Sequence, residues 1–164
     1  RVYTRKYSST HNKNAVIFVL KLFVLIPLCG FILSLLVPAR RENVISWVVY
    51  FSVGLHHVLF LTFIVFWFSQ GHPILNLKDL VLLQRNGYEF FIDFYFDKVT
   101  AVYLFVGSFL TFLVAIYSRS YLHRENGFKR FFNTILFFYL GYNIVIFSGN
   151  LETLFIGWEI LGIS

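Results

Sequence analysis

The sequence predicts an all-α integral membrane protein: an antiparallel transmembrane helix bundle of four spans plus a truncated fifth, with a short surface β-hairpin between helices two and three. Three observations carry that prediction. The 164 residues are 58% apolar and only 13% charged, with 22 Phe and 10 Tyr, too little polar surface for a soluble domain of this length. Apolar runs long enough to cross a bilayer recur along the chain. Most links between them are short, which makes successive helices antiparallel neighbours.

Taken in order, the spans fall at about 15–37, 44–68, 99–118 and 131–147, the last slightly short, and a fifth begins at Leu151. The connector Pro-Ala-Arg-Arg-Glu-Asn joins the first two, and Ser-Gly-Asn joins the fourth and fifth. Gly149 is expected to end helix four, and Asn150 to cap helix five through its side-chain oxygen. About 14 residues follow Asn150; at roughly 1.5 Å each they fall short of a bilayer core of about 30 Å. With Arg1 in place of a start methionine, the expectation is the N-terminal membrane segment (1–164) of a longer polytopic subunit. No small-residue cleavage site closes the first apolar run, so no signal peptide is expected.

The segment 69–97 is too long and polar for a bare turn. Asn86-Gly87 between two strand-like runs is a strong hairpin signal, because type I′ turns need positive φ. The hairpin is expected at about 79–95, with Glu89, Phe91, Asp93 and Tyr95 sharing a side by period two. It must lie at the membrane surface, since an unpaired sheet edge has no partner in lipid.

Net charge is +6, but the basic residues sit in the tail and connectors and form no stripe interleaved with stacking aromatics. Nucleic-acid binding is therefore not expected. The loop 119–130 carries Arg119, Arg124, Lys129 and Arg130 and shares a side with Arg40 and Arg41; Lys78, Arg85 and the basic N-terminal tail lie opposite and nearly balance the count, and the compact loop is the side expected in the cytoplasm. Cys29, a lone cysteine, excludes an internal disulfide, an iron–sulfur cluster and a thiolate metal site. Dinucleotide fingerprint, P-loop, zinc-binding His-Glu-x-x-His and a nucleophile with a base are all missing from the sequence. No metal and no cofactor is expected on this chain. Nor is there a GxxxG pattern to support close glycine-mediated helix contact.

The candidate for chemistry is Glu159, a carboxylate in the apolar run Asn-Leu-Glu-Thr-Leu-Phe-Ile-Gly-Trp-Glu-Ile-Leu-Gly-Ile-Ser. A charge near the bilayer centre costs roughly 2.5–3.5 kcal/mol on insertion scales, and groups that expensive mark functional sites. Nine residues past Asn150, it lies roughly 13–14 Å along the helix, close to mid-membrane. Glu152 is two turns earlier on nearly the same face, so the two could act as shallow and deep proton stations. A negative charge in a first helical turn also suits the helix dipole, which by itself accounts for Glu152. His56 and His57 lie midway along helix two and point about 100° apart, so they are not a chelating pair. Proton relay and structural hydrogen bonding are both open to them. Lys21 is expected to snorkel to the interface. Asn143 could hold water, and Trp47, Tyr117 and Tyr121 suit an interfacial belt.

Three blocks carry a family resemblance: Asp-Lys-Val-Thr-Ala-Val-Tyr at 97–103, Tyr-Ser-Arg-Ser-Tyr at 117–121, and Gly-Phe-Lys-Arg-Phe-Phe at 127–132. A fourth comprises Asn150, Leu151, Leu154, Phe155, Gly157, Trp158 and Glu159. Over these roughly 70 residues the chain resembles the subunit 5 (bacterial subunit L) family of proton-pumping NADH:quinone oxidoreductase, respiratory complex I. The first two spans match in hydropathy alone.

The resemblance implies an antiporter-like, proton-translocating membrane subunit, with Glu159 as the helix-five glutamate that pairs with a lysine on a later helix. It implies other membrane subunits and the lipid bilayer as partners and protons as the cargo. NADH, FMN, iron–sulfur clusters and quinone would belong to partner subunits, and the location would be a bacterial inner membrane. Ile160-Leu161-Gly162 departs from the Gly-Val-Gly usual after Trp-Glu. Subunits of cation/proton antiporters, membrane hydrogenases and inorganic-carbon uptake complexes, which share the helix-five signature, are therefore the alternatives. A noncatalytic membrane scaffold is the alternative of a different class.

Overall fold

A computed structural model describes residues 10–85 and 88–164. The elements are α1 (Thr10–Leu36), α2 (Glu42–Ser69), β1 (Leu75–Arg85), β2 (Tyr88–Phe96), α3 (Lys98–Tyr121), α4 (Phe128–Phe147) and α5 (Leu151–Ile163). Phe18–Leu36, Glu42–Ser69, Lys98–Tyr121 and Phe128–Phe147 are each long and apolar enough to cross a membrane. The chain is a multi-pass membrane protein. Helix α4 is not short: it starts three residues earlier than expected, because Phe128 and Phe132 already form one buried stripe. The Lys129 ammonium between them reaches back to the Leu35 carbonyl at the end of α1, 2.9 Å away.

Helices α1, α2, α3 and α4 form a ring in which each packs on the next and α4 returns to α1; α5 lies outside, against α4 and β2. Two apolar clusters fill the ring. One gathers Leu20, Phe23, Phe60, Phe63, Trp67, Phe96 and Phe147. The other gathers Ile45, Val49, Val53, Ala115, Phe128, Phe132 and Leu136. A layer of buried polar groups from α2, α3 and α4, His56, Ser108 and Asn143, is set between them along the helices. Outside, residues such as Phe51, Val65, Val102 and Leu110 are exposed, as lipid-facing surface requires.

The sheet is an antiparallel pair running from Leu75↔Phe96 to Arg85↔Tyr88, longer than the 79–95 expected. Register shifts between Lys78 and Leu80 and between Val81 and Leu83 insert an extra residue twice into β1, which is why its period-two pattern fails. The expected Asn86-Gly87 turn lies outside the described residues. Phe96 is fully buried edge-on to Phe63 and Trp67, and the Trp67 indole N–H donates to the Pro73 carbonyl at 2.9 Å. These contacts dock the base of the hairpin on one end of the bundle.

At that end a tight corner leads into α5. The Gly149 N–H donates to the Asp93 carbonyl (2.9 Å), and the Asp93 N–H donates to Thr153 Oγ1 (3.0 Å). Asn150 donates through Nδ2 to the Phe91 carbonyl (2.8 Å), while its Oδ1 accepts from the Thr153 N–H (2.9 Å), the cap expected from the sequence. Gly149 does not end α4 as expected; Ser148 does, in extended geometry. Glycine is needed there because a Cβ would lie 2.6 Å from the Asp93 carboxylate.

The opposite end carries the connectors 37–41 and 122–127. Glu42 accepts from His123 at 2.9 Å, and Arg119 donates to Asn43 at 3.2 Å. The 119–130 loop and Arg40–Arg41 therefore share one side, as the charge argument required.

Candidate functional site

Helix α5 buries Thr153 and Gly157 and leaves Phe155, Trp158 and Glu159 exposed. The buried stripe meets α4 at close range. A Cβ on Gly157 would lie 2.8 Å from the Val145 amide nitrogen, and one on Gly141 would lie 3.1 Å from the Gly157 carbonyl oxygen. The helices touch backbone to backbone because a glycine stands on each, a contact that no GxxxG search within one helix can find. This contact and the Asn150 cap fix the rotation of α5. Glu159 is thereby aimed away from the four-helix ring, and its carboxylate makes no hydrogen bond or ion pair among the described residues. Glu152 is half-buried in the first turn of α5, two turns nearer the hairpin.

The histidines lie elsewhere. His56 is fully buried, with Nδ1 2.7 Å from the Tyr139 hydroxyl on α4. His57 is half-buried, with Nδ1 2.7 Å from the Ser108 hydroxyl on α3, and its ring lies near Phe105 and Phe109. The two rings thus reach different helices, as the 100° spacing required. The Asn143 amide donates to the Tyr139 carbonyl at 2.6 Å, and His56 Nε2 and Asn143 Oδ1 are buried without a hydrogen-bond partner. An unsatisfied buried polar group costs about 1–3 kcal/mol, so this layer is expensive for a purely structural core.

The structure does not bring the carboxylates and the histidines together. Tyr139 faces the ring interior, whereas Gly141 faces α5 roughly 200° further round the same helix. Helix α4 therefore stands between His56 and Glu159. Lys21 is half-buried, Cys29 is exposed, and Trp47, Tyr117 and Tyr121 are exposed near the basic end, where an interfacial belt is expected. Sequence reasoning missed Tyr139 and Ser108. The one signal was a tyrosine four residues before Asn143, a polar pair at helical spacing on an apolar helix.

Comparison with known proteins bears on up to 88% of the chain. Residues 83–132 match the family described as NADH-Ubiquinone oxidoreductase (complex I), chain 5 N-terminus. That stretch takes in β2, α3 and the start of α4, hence three of the resembling blocks, and ends before Glu159. NADH-quinone oxidoreductase subunit L of Neisseria meningitidis is 35% identical over 82 residues, 49% of this chain and 12% of the relative. The subunit L of Escherichia coli is 26% identical over 145 residues, 88% of this chain and 24% of the relative. The chloroplastic NAD(P)H-quinone oxidoreductase subunit 5 of Physcomitrium patens is 25% identical over 153 residues, 88% of this chain and 21% of the relative. The longer alignments reach into α1 and α2, beyond the 70 residues in which the resemblance was first legible. The chain spans between about an eighth and a quarter of the length of these relatives. Its three matching blocks, its membrane helices and its relatives agree: the chain is similar to the subunit 5/subunit L family of NADH-quinone oxidoreductase.

Proposed function

We propose that the chain is part of a proton-translocating membrane subunit of an NADH:quinone oxidoreductase, with Glu159 as a proton-transfer group. The observation that carries this reading is a carboxylate in the apolar helix α5, aimed at a face that the described residues leave uncovered. A carboxylate in that position is tolerated in a bilayer when another helix supplies a donor or a cation. Desolvation raises the proton affinity of such a group and an approaching cation lowers it, an opposition suited to uptake and release. The family resemblance supplies a lysine on a later helix as that cation. Glu152, nearer the membrane surface on the same side of α5, is the shallower station.

In this reading electron transfer takes place in partner subunits, which hold NADH, FMN, iron–sulfur clusters and quinone. This subunit lies among other membrane subunits in a bacterial inner membrane, with the 119–130 loop in the cytoplasm. The test is Glu159→Gln in the full complex reconstituted into liposomes. NADH-driven proton uptake should fall steeply while the complex still assembles. A complex that assembles and pumps at the wild-type rate would mean that Glu159 is a scaffold residue and would overturn the proposal.

A further inference from the structure

The end of the bundle that carries the two connectors gathers positive charge around a single cleft. Arg40 and Arg41 lie in the connector from α1 to α2, and Arg124 lies in the connector from α3 to α4. With Val44, Glu42 and His123 they line a cleft of about 440 Å³, far larger than the roughly 30 Å³ of one water molecule. None of the three guanidinium groups makes a hydrogen bond or ion pair among the described residues. The carboxylate in the cleft is already engaged. Glu42 Oε2 accepts from His123 Nδ1 at 2.9 Å and from the Arg124 N–H at 3.4 Å, which ties the two connectors together across the cleft.

The backbone of Arg124 adds a second, independent sign. Its φ is +66°, in the left-handed region where glycine is at ease and a bulkier residue is strained. An arginine kept at such a position points to a use for its side chain.

The surroundings set the depth of the cleft in the membrane. Trp47, near the start of α2, and Tyr117 and Tyr121, near the end of α3, are exposed, as aromatic residues at headgroup level are. Arg119 lies over the Tyr50 ring, 5.9 Å from its centroid, and donates to Asn43 at 3.2 Å, joining the two helices beside the cleft. From Asn43 inward, Trp47 and Phe51 follow at four-residue spacing on one stripe of α2, and both are exposed. Apolar surface therefore runs from the cleft toward the hydrocarbon.

Charge and shape together choose the occupant. Three unneutralised guanidinium groups call for an anion, and their planar forks match phosphate oxygens. The stripe below calls for something apolar attached to that anion. A dissolved phosphate or an acidic protein loop would meet the charge and leave the stripe bare. We infer that the cleft holds the phosphate of an anionic phospholipid on Arg40, Arg41 and Arg124, with its acyl chains along Trp47 and Phe51. The inference requires only that this end lie at the membrane surface, and it is independent of Glu159 and of proton transfer.

The test places a photo-crosslinker at the site. Trp47→p-benzoylphenylalanine is assembled into the full complex, in nanodiscs of equal parts phosphatidylglycerol and phosphatidylcholine, and the lipid adducts on that peptide are weighed by mass spectrometry. Phosphatidylglycerol adducts should predominate. An arginine near a membrane surface favours an anionic lipid by a factor of about five, so Arg41→Gln should lower the adduct ratio by roughly that much. Arg124→Gly should lower it equally while leaving thermal stability no worse, because it removes backbone strain along with the charge. Phe51→p-benzoylphenylalanine carries the measurement if the Trp47 variant does not assemble. Equal adducts of the two lipids overturn the inference, as does a ratio that ignores both arginine variants. Adducts to a neighbouring subunit in place of lipid would give the cleft to a protein partner and overturn it too. Inorganic phosphate should lower the ratio no more than chloride at equal ionic strength; a selective loss in phosphate would mean a site for the free anion and not for a lipid.

Discussion

His56 and Glu159 are both ionisable groups within apolar helices, yet the chain treats them in opposite ways. His56 is enclosed by α1, α2 and α4 and has a tyrosine hydroxyl on one nitrogen. Glu159 stands on the uncovered face of α5 beside Trp158 and makes no bond among the described residues. The first group is enclosed within the ring of four helices; the second faces away from it. The contrast says which group should govern stability and which should govern transport.

Glu159→Gln should give the largest effect, and on transport alone. Loss of a positioned proton-transfer group typically costs 10²–10⁴-fold in the step it serves, so proton uptake driven through this subunit should fall by roughly tenfold or more. Thermal inactivation of the purified complex should barely move, because the side chain is exposed and its carboxylate makes no bond among the described residues. A large drop in thermal stability with pumping intact would reverse the roles assigned to the two groups.

His56→Leu is the complementary break. It leaves the Tyr139 hydroxyl without its partner, at a cost of about 1–3 kcal/mol for one unsatisfied group. Reduced yield of assembled complex and a lowered inactivation temperature should follow. Unchanged stability would mean that the polar layer relaxes onto itself or onto water.

The positions of these two groups were unequally legible in the sequence. The spans were legible because about 20 apolar residues in a row have few alternatives, and the Asn150 cap because its bond is local. The start of the hairpin was misplaced by four residues, and its end by one, because two β1 bulges scramble the alternation by which strands are read. Gly149 was misassigned for a different reason. Its role is set by Asp93, 56 positions earlier in the numbering, and not by the helix it follows. The partnership of His56 with Tyr139 is likewise non-local, and so is the rotation that aims Glu159 outward. That rotation depends on Gly141 meeting Gly157, which only the packed helices reveal.

Gly157→Val tests the rotation directly. The valine would push against the Val145 amide, 2.8 Å from the new Cβ, where backbone cannot yield as a side-chain tip can. Overpacking of this kind typically costs about 1–3 kcal/mol. Helix α5 should shift off α4 and carry Glu159 with it, so pumping should weaken although the carboxylate is intact. Cysteine cross-linking between α4 and α5 would register the shift, and wild-type pumping with an unshifted α5 would remove the glycine contact from the argument.

Asn150→Ala should have the smallest effect, and it asks whether the hairpin or the glycine contact orients α5. The substitution removes two bonds, one to the Thr153 N–H and one to the Phe91 carbonyl. A lost cap costs about 0.5–2 kcal/mol, and the second bond lies at the edge of the bundle where water can replace it. Amide exchange in the first turn of α5, measured in the assembled complex, should therefore rise roughly five- to thirtyfold, the factor that one or two kcal/mol commands. Amides near Glu159 should stay as protected as before, since Gly157 still holds that half of the helix against α4. If exchange rises along all of α5, the hairpin corner is what aims Glu159. The uncovered carboxylate would then depend on the sheet as much as on the helix it packs against.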